Sequence, residues 1–415
     1  MLFERRTEAA LETTTQPLQN QRMNIPMVRT LFLLALLTAF PPLSTDMYLP
    51  AIPHLTALWG QSLMVVNLTL ICFFLTYCFF MLVYGPVSDR FGRRRPLLVG
   101  VGIFILASGM CALANDIHTL IAARIVQASG AASASALSLA MCKDLFESRQ
   151  RARVLAYIAV IVALAPMLAP IVGGWVIHYF SWRWVFVVQG AMGVIAWIGV
   201  YRMTEPLEQF TALSAATAVK VYLGLFRNRR YTGLMLAMSL LILPFFGYLA
   251  GSTDIYMVHF GLNERQYGYF FGFNALAFLC GPIAFSRLSR LLSVKSLLTV
   301  SFGGIMASGL LMVLIPHQSP WSLALPMWGI TFFLGMSRPP SNNLILDQVN
   351  RDVGAASALV IFTFMTIGAL SMGFISMAWT DKITVIGSLG TIVGAGTLAF
   401  WLRYRSRFLP ASADR

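Results

Sequence analysis

The chain has 415 residues, 58% of them hydrophobic and only 11% charged, with a net charge of +14 at neutral pH. That balance excludes an ordinary water-soluble domain, in which charged residues make up about a quarter of the total. The basic excess does not point to nucleic acid either, because the Lys and Arg residues stand in short clusters between long apolar runs.

The start of the chain is polar, with Glu4, Arg5, Arg6, Glu8 and Glu12, and lacks the apolar core of a cleavable leader. Residues 1-26 are expected to be a disordered cytoplasmic extension, with Met23 as an alternative start. A helix needs about 20 largely apolar residues to cross the hydrocarbon core of a bilayer. Twelve segments qualify, at 28-58, 63-87, 96-114, 118-142, 153-179, 184-203, 232-259, 266-286, 296-315, 322-346, 353-378 and 383-402. The fold class predicted is therefore an all-α polytopic membrane protein. The longest runs, such as the first, fifth and tenth, carry internal Pro or Gly and should be tilted, kinked helices lining a cavity.

An even number of spans leaves both termini on one side of the membrane. Arg90 to Arg95, Lys143, Arg149, Arg151, Arg287, Arg290, Lys295, Arg351, Arg403 and Arg405 all fall on that side, against only Arg183, Arg265 and Lys382 on the other. The asymmetry predicts cytoplasmic termini. Thr204 to Arg230 is the longest polar interval between spans. It divides the chain into a first six-helix bundle (27-203), a linker (204-230), a second bundle (231-403) and a cytoplasmic tail (404-415). A repeat supports the division: GPVSDRFGRR from Gly85 is echoed by GPIAFSRLSR from Gly281, and Ser44-Thr45-Asp46-Met47-Tyr48 by Ser252-Thr253-Asp254-Ile255-Tyr256. The two halves are thus expected to be pseudo-symmetric.

Ionisable residues within apolar spans cost roughly 2.5 to 3.5 kcal/mol on insertion scales and so mark function. Asp46, Arg124 and Arg338 are the clear cases. Asp46 and Arg124 lie at similar depths, roughly 10 to 18 Å from one membrane face, and could share a cavity. Such a carboxylate can titrate under the opposing pulls of desolvation and a guanidinium, as proton coupling requires, or the two can form a permanent ion pair that only orients helices. In the tenth span Pro339 and Pro340 should loosen the helix, and Arg338, Asn342 and Asn343 form a polar patch that either faces the transport path or marks a hinge. Tyr48 and Tyr77 are assigned to the cavity as flat apolar surfaces with a polar handle. Asp254 is placed near a span end, interfacial or functional.

The five cysteines lack metal or redox spacing and are expected to be small buried hydrophobes. No His, Cys or Ser constellation has catalytic spacing, and His54, His118, His178, His259 and His317 stand near span ends, so neither an enzyme nor a metal site is expected.

The run Gly85, Asp89, Arg90, Gly92, Arg93, Arg94 resembles the GxxxDRxGRR signature between the second and third helices of the major facilitator superfamily. There it forms a charge network that stabilises one state of the alternating-access cycle. Pro166 in the fifth span, followed by Ala169-Pro170-Ile171-Val172-Gly173-Gly174, is similar to the GPxxGG motif of twelve-span drug:proton antiporters, with Ala169 in place of the first Gly. The prolines Pro166 and Pro170 would bend that helix while Gly173 and Gly174 allow close packing between the halves. The fourth span, Leu120 to Ala128, resembles LxxxRxxQG with Ala128 in place of Gly, in which the Arg is implicated in proton handling. LSTDMYLPAIP from Leu43 resembles the Bcr/CflA branch of bacterial drug exporters. The resemblance implies the major facilitator fold, a multi-pass protein of the bacterial inner membrane, and proton-driven efflux of amphipathic antibiotics such as chloramphenicol relatives, bicyclomycin or sulfonamides. An uptake symporter for a small metabolite is the alternative. The expected partners are a small-molecule substrate and the lipid bilayer, with no nucleic acid, no cofactor beyond the coupling proton, and a monomeric state.

Overall fold

The computed structural model describes residues 25–207, 215–349 and 351–408, and every regular element among them is helical. The cause is general: backbone groups inside a bilayer have no water to bond to, and helices satisfy them internally. The expected extension and the end of the tail lie outside the described residues.

The first span is built in pieces, α1 (Ile25–Thr38), α2 (Phe40–Asp46), a 3-10 turn at Leu49–Ala51 and α3 (Ile52–Trp59). Each piece after α1 begins with proline in its first turn, where the missing N–H costs nothing, and the two main segments meet at 45°. The first half continues with α4 (Leu63–Phe91), α5 (Arg94–Leu113), α6 (Ile117–Leu145), α7 (Ser148–Tyr179) and α8 (Trp182–Tyr201). Within the linker lies an amphipathic helix, α9 (Ala215–Arg227), with Val221, Tyr222 and Leu225 packed on the core of the second half. The seventh span joins α10 (Arg229–Leu240), α11 (Leu243–Thr253) and a π-helical turn at Asp254–His259. Then follow α12 (Glu264–Leu288), α13 (Val294–Leu314), α14 (Trp321–Leu346), α15 (Val353–Ile375) and α16 (Lys382–Phe408).

Ten of the described helices are long and apolar enough to cross a membrane, and eleven if the bent first pair is one span. The helix expected as the tenth span, α14, falls outside that set, as Ser337, Arg338, Ser341, Asn342 and Asn343 make it the more polar one. It also corrects the expectation of a loosened helix: α14 runs unbroken from Trp321 to Leu346 through Pro326, Pro339 and Pro340. Packing explains this, since Ser337, Pro340, Ser341, Leu344 and Ile345 are all buried and neighbouring helices hold the segment. The cysteines divide as well. Cys78, Cys111 and Cys142 are buried, whereas Cys72 and Cys280 sit at partly exposed positions.

The halves repeat one packing plan. In the first, α6 packs on α4 and α5, and α8 on α5; in the second, α14 packs on α12 and α13, and α16 on α13. The halves meet through two matching pairs, α4 against α15 and α12 against α7. A seam therefore runs between them, and the candidate site lies beside it.

Candidate functional site

The break in the first span creates the site. The amides of Met47 and Tyr48 both turn to the Thr45 carbonyl instead of reaching one turn back, which frees the carbonyls of Leu43 and Ser44. Two buried side chains meet them. Arg124 Nη1 donates to the Ser44 carbonyl at 3.1 Å, and Gln189 Nε2 donates to those of Leu43 at 3.3 Å and Ser44 at 3.4 Å. Gln127 ties the pair together, accepting from Arg124 at 2.6 Å and donating to Gln189 Oε1 at 3.0 Å and Ser108 Oγ at 2.8 Å. Arg124 and Gln127 stand on α6, Ser108 on α5 and Gln189 on α8, so three helices jointly hold the broken backbone.

Asp46 closes α2 at the break and is buried, its Oδ1 accepting from Thr45 Oγ1 at 2.8 Å. Among the described residues no ion pair joins it to Arg124. The guanidinium lies instead against three aromatic faces, Phe73 at 4.3 Å, Tyr48 at 5.1 Å and Phe186 at 5.7 Å, and its Nε and Nη2 have no hydrogen-bond partner. The permanent ion pair is thus not the arrangement observed. Tyr48 is fully buried and takes the Thr69 hydroxyl at 3.1 Å, and Tyr77 stacks on Phe73.

Arg338 does not join this cluster. It lies over the ring of Phe364 at 3.6 Å, with Asn342 one turn away and partly buried and Asn343 exposed. A row of rings links the two guanidinium groups across the seam: Phe73 to Phe74 at 6.1 Å, Phe74 to Phe246 at 5.1 Å, and Phe246 to Phe364 at 6.3 Å between centroids. The sequence reading passed over Phe246 and Phe364 because aromatic residues are dense throughout and nothing local sets these apart.

The arginine motif forms a compact network at the linker end. Arg93 is nearly buried and binds Asp89 at 2.6 Å, Asp144 at 2.8 Å and the Ser88 hydroxyl, while its own amide donates to Glu205 at 2.7 Å. Burial works against its charge, but the Asp144 and Asp89 carboxylates outweigh burial and raise its pKa further. Arg94 donates its amide to Glu205 and its guanidinium to the Tyr201 carbonyl at 2.6 Å, whereas Arg90 lies over the ring of Phe91. Gly92 has φ of 86°, which favours glycine, and Gly85 has open space beside it. Asp144 and Glu205 were missed by the sequence reading, for they stand far along the chain. All these contacts stay within the first half and its link.

The seam is tightest at the opposite end. A β-carbon on Gly174 would fall onto the Glu264 carbonyl of α12 and one on Gly268 onto the Pro170 carbonyl, both across the seam, while one on Gly173 would fall onto the Met47 carbonyl of the broken span within the first half. Pro166 and Pro170 both stand inside the continuous α7. Asn67 crosses the seam to the Ala250 carbonyl at 3.1 Å and Ser376 Oγ at 2.7 Å. Asp254 pairs with Lys382, joining the seventh and last spans.

The chain is 29% identical over 377 residues to an uncharacterised MFS-type transporter, YdgK, of Bacillus subtilis, covering 89% of this chain and 94% of that one. It is 26% identical over a stretch of the same length to a bicyclomycin resistance protein homolog of Haemophilus influenzae, again covering 89% and 94%. The multidrug transporter MdfA of Yersinia pestis is 26% identical over 82% of this chain and 85% of its own. Among solved structures, a D-xylose-proton symporter superposes with a TM-score of 0.72 at 14% identity, covering 94% of this chain and 99% of that one, a likeness of fold. The model of the Major Facilitator Superfamily matches residues 34–372, across both halves and the seam between them, and the chain belongs to that superfamily of multi-pass membrane transporters.

Proposed function

We propose that this protein exports amphipathic small molecules, antibiotics among them, across the bacterial cytoplasmic membrane by alternating access, in exchange for protons. The observation that carries the reading is the unpaired state of Asp46 and Arg124, two buried groups at one helix break, each held by other partners. A carboxylate not locked to a cation is free to take and release a proton, and to Arg124, whose Nε and Nη2 both lack hydrogen-bond partners, we assign the role of tuning that exchange. The relatives named for bicyclomycin and multidrug resistance support the direction and cargo class.

The aromatic row suits such a cargo. The rings from Phe73 to Phe364, ended by Arg124 and Arg338, are buried against one another here, and when the halves part they would offer flat apolar faces for stacking without demanding one hydrogen-bond pattern. Tyr48 and Tyr77 belong to its first-half end, and Asn342 and Asn343 to its second-half end. With the seam tight at the end opposite the arginine motif, and cytoplasmic termini as the basic residues indicate, the structure corresponds to the state that loads cargo from inside. The Arg93 network, made within the first half and its link here, would exchange partners when that side closes. Proton and cargo must favour different states for exchange to occur, since equal binding shifts nothing. The protein is read as a monomer that needs no cofactor other than the coupling proton.

The test is antibiotic uptake by energised inverted vesicles. Gradient-driven uptake by the native protein, reduced at least ten-fold in Asp46→Asn, is the expected result. Uptake unchanged in Asp46→Asn would move coupling elsewhere, and a gradient that drives the drug outward would reverse the direction.

A further inference from the structure

At the end of the seam opposite the arginine motif stands a cluster that the transport reading does not use. Glu264, the first residue of α12, is met by two histidines of the other half: His54 Nε2 of α3 lies 2.6 Å from its Oε1, and His178 Nδ1 of α7 lies 3.4 Å from its Oε2. The carboxylate is largely buried at 15% exposure, against 48% and 35% for the histidines. Three helices from two halves thus converge on one carboxylate whose two oxygens are both engaged. We propose that His54, His178 and Glu264 form a second proton-binding site, and that its proton holds the halves together at this end.

The argument is one of charge. With both imidazoles neutral, closing the seam encloses a net negative charge on Glu264; one proton on either histidine makes the trio neutral and both contacts stronger. Protonation and closure therefore favour each other, and by linkage each raises the other. The backbones of the two halves approach closely here, for a β-carbon on Gly174 would fall onto the Glu264 carbonyl and one on Gly268 onto the Pro170 carbonyl.

Among the described residues neither neighbouring arginine forms an ion pair with Glu264: Arg265 lies over the ring of Trp175, and Arg183 over the ring of Trp182 while donating to the Ala114 carbonyl. On the π-helical turn that packs on α3, Asp254 is neutralised by Lys382 and His259 lies edge-on to Phe260. Tyr179 meets His178 by its ring, and the first turns of α4, Leu63 to Asn67, bring no titratable group. The two histidines bond different oxygens of the carboxylate, and no group of three His, Cys, Asp or Glu side chains among the described residues is arranged to hold a metal ion. Under the export reading, on which only this last step rests, acid on the outer side would return the empty carrier to its inward-facing state.

The decisive measurement is the distance between spin labels at Asn115 and Gln318, one on each half at this end. It is taken in nanodiscs between pH 5.5 and 8 in a cysteine-free Asp46→Asn background, which removes the other proton site. The closed population should fall several-fold as pH rises through the interval in which imidazoles in general change charge, and the response should flatten in Glu264→Gln and in His54→Gln/His178→Gln. The double histidine variant decides the matter should Glu264→Gln not fold. A pH response retained in either folded variant, or absent from the background protein, overturns the proposal. Since no drug is present, loss of vesicle transport would leave this result standing, and loss of the pH response would leave efflux standing.

Discussion

Arg124 shows how a buried cation is tolerated without a counter-ion. Its Nη1 is spread over the Ser44 carbonyl and Gln127, and its flat face over three rings. Gln127 is the keystone, because its amide also serves Gln189 and Ser108. Gln127→Leu should destabilise the protein by about 2 kcal/mol, the usual cost of stranding buried polar partners, and lower its melting temperature in detergent. An unchanged midpoint would show that these bonds hold nothing. Asp46, Arg124 and Arg338 stood out in the sequence because a charge in an apolar run is costly and needs a reason to persist. Gln127 and Gln189 were not, since an uncharged amide in a helix is unremarkable until a partner 62 positions away is placed beside it. Asp144 and Glu205 hid for the related reason that carboxylates at helix ends are ordinary.

At the scale of elements, composition predicted helices well and their interruptions unevenly. The kink in the first span follows from its prolines, whereas α14 stays continuous through three because neighbours hold it. Helix α9 was invisible as a span, being short and carrying Lys220 and Arg227, and the sequence reading took it for part of a polar linker. The paired echo Ser44-Thr45-Asp46 and Ser252-Thr253-Asp254 gains meaning here, for both sit where α-helical geometry ends, before a 3-10 turn and at a π turn. In α7 the glycines are contact points of unequal importance. Gly173→Ala drives a methyl into the Met47 backbone and should lower transport at least ten-fold even when the protein folds, while Gly85→Ala meets nothing in this state. Transport assays beside a label-accessibility assay separate the two. Equal effects of Gly173→Ala and Gly85→Ala would contradict this account of how α7 packs on the broken first span.

Across the whole molecule, the two-half plan could be read from the linker and a degraded repeat, but the seam could not. Which helices face each other is set by packing between segments hundreds of residues apart, as with Asn67 and Ser376. A short thiol cross-linker between cysteines at those two positions should arrest transport and release it on reduction. Cross-linking without arrest would mean that this end need not open. The bonds around Arg124 also bear on how the protein is made. Ribosomes deliver α6 with its charged side chain well before α8, so Gln189 is not yet present when Gln127 first enters the bilayer. Membrane insertion of the first half must therefore begin with an incompletely satisfied interior that lipid and translocon tolerate for a time, and the sixth span, on emerging, completes it.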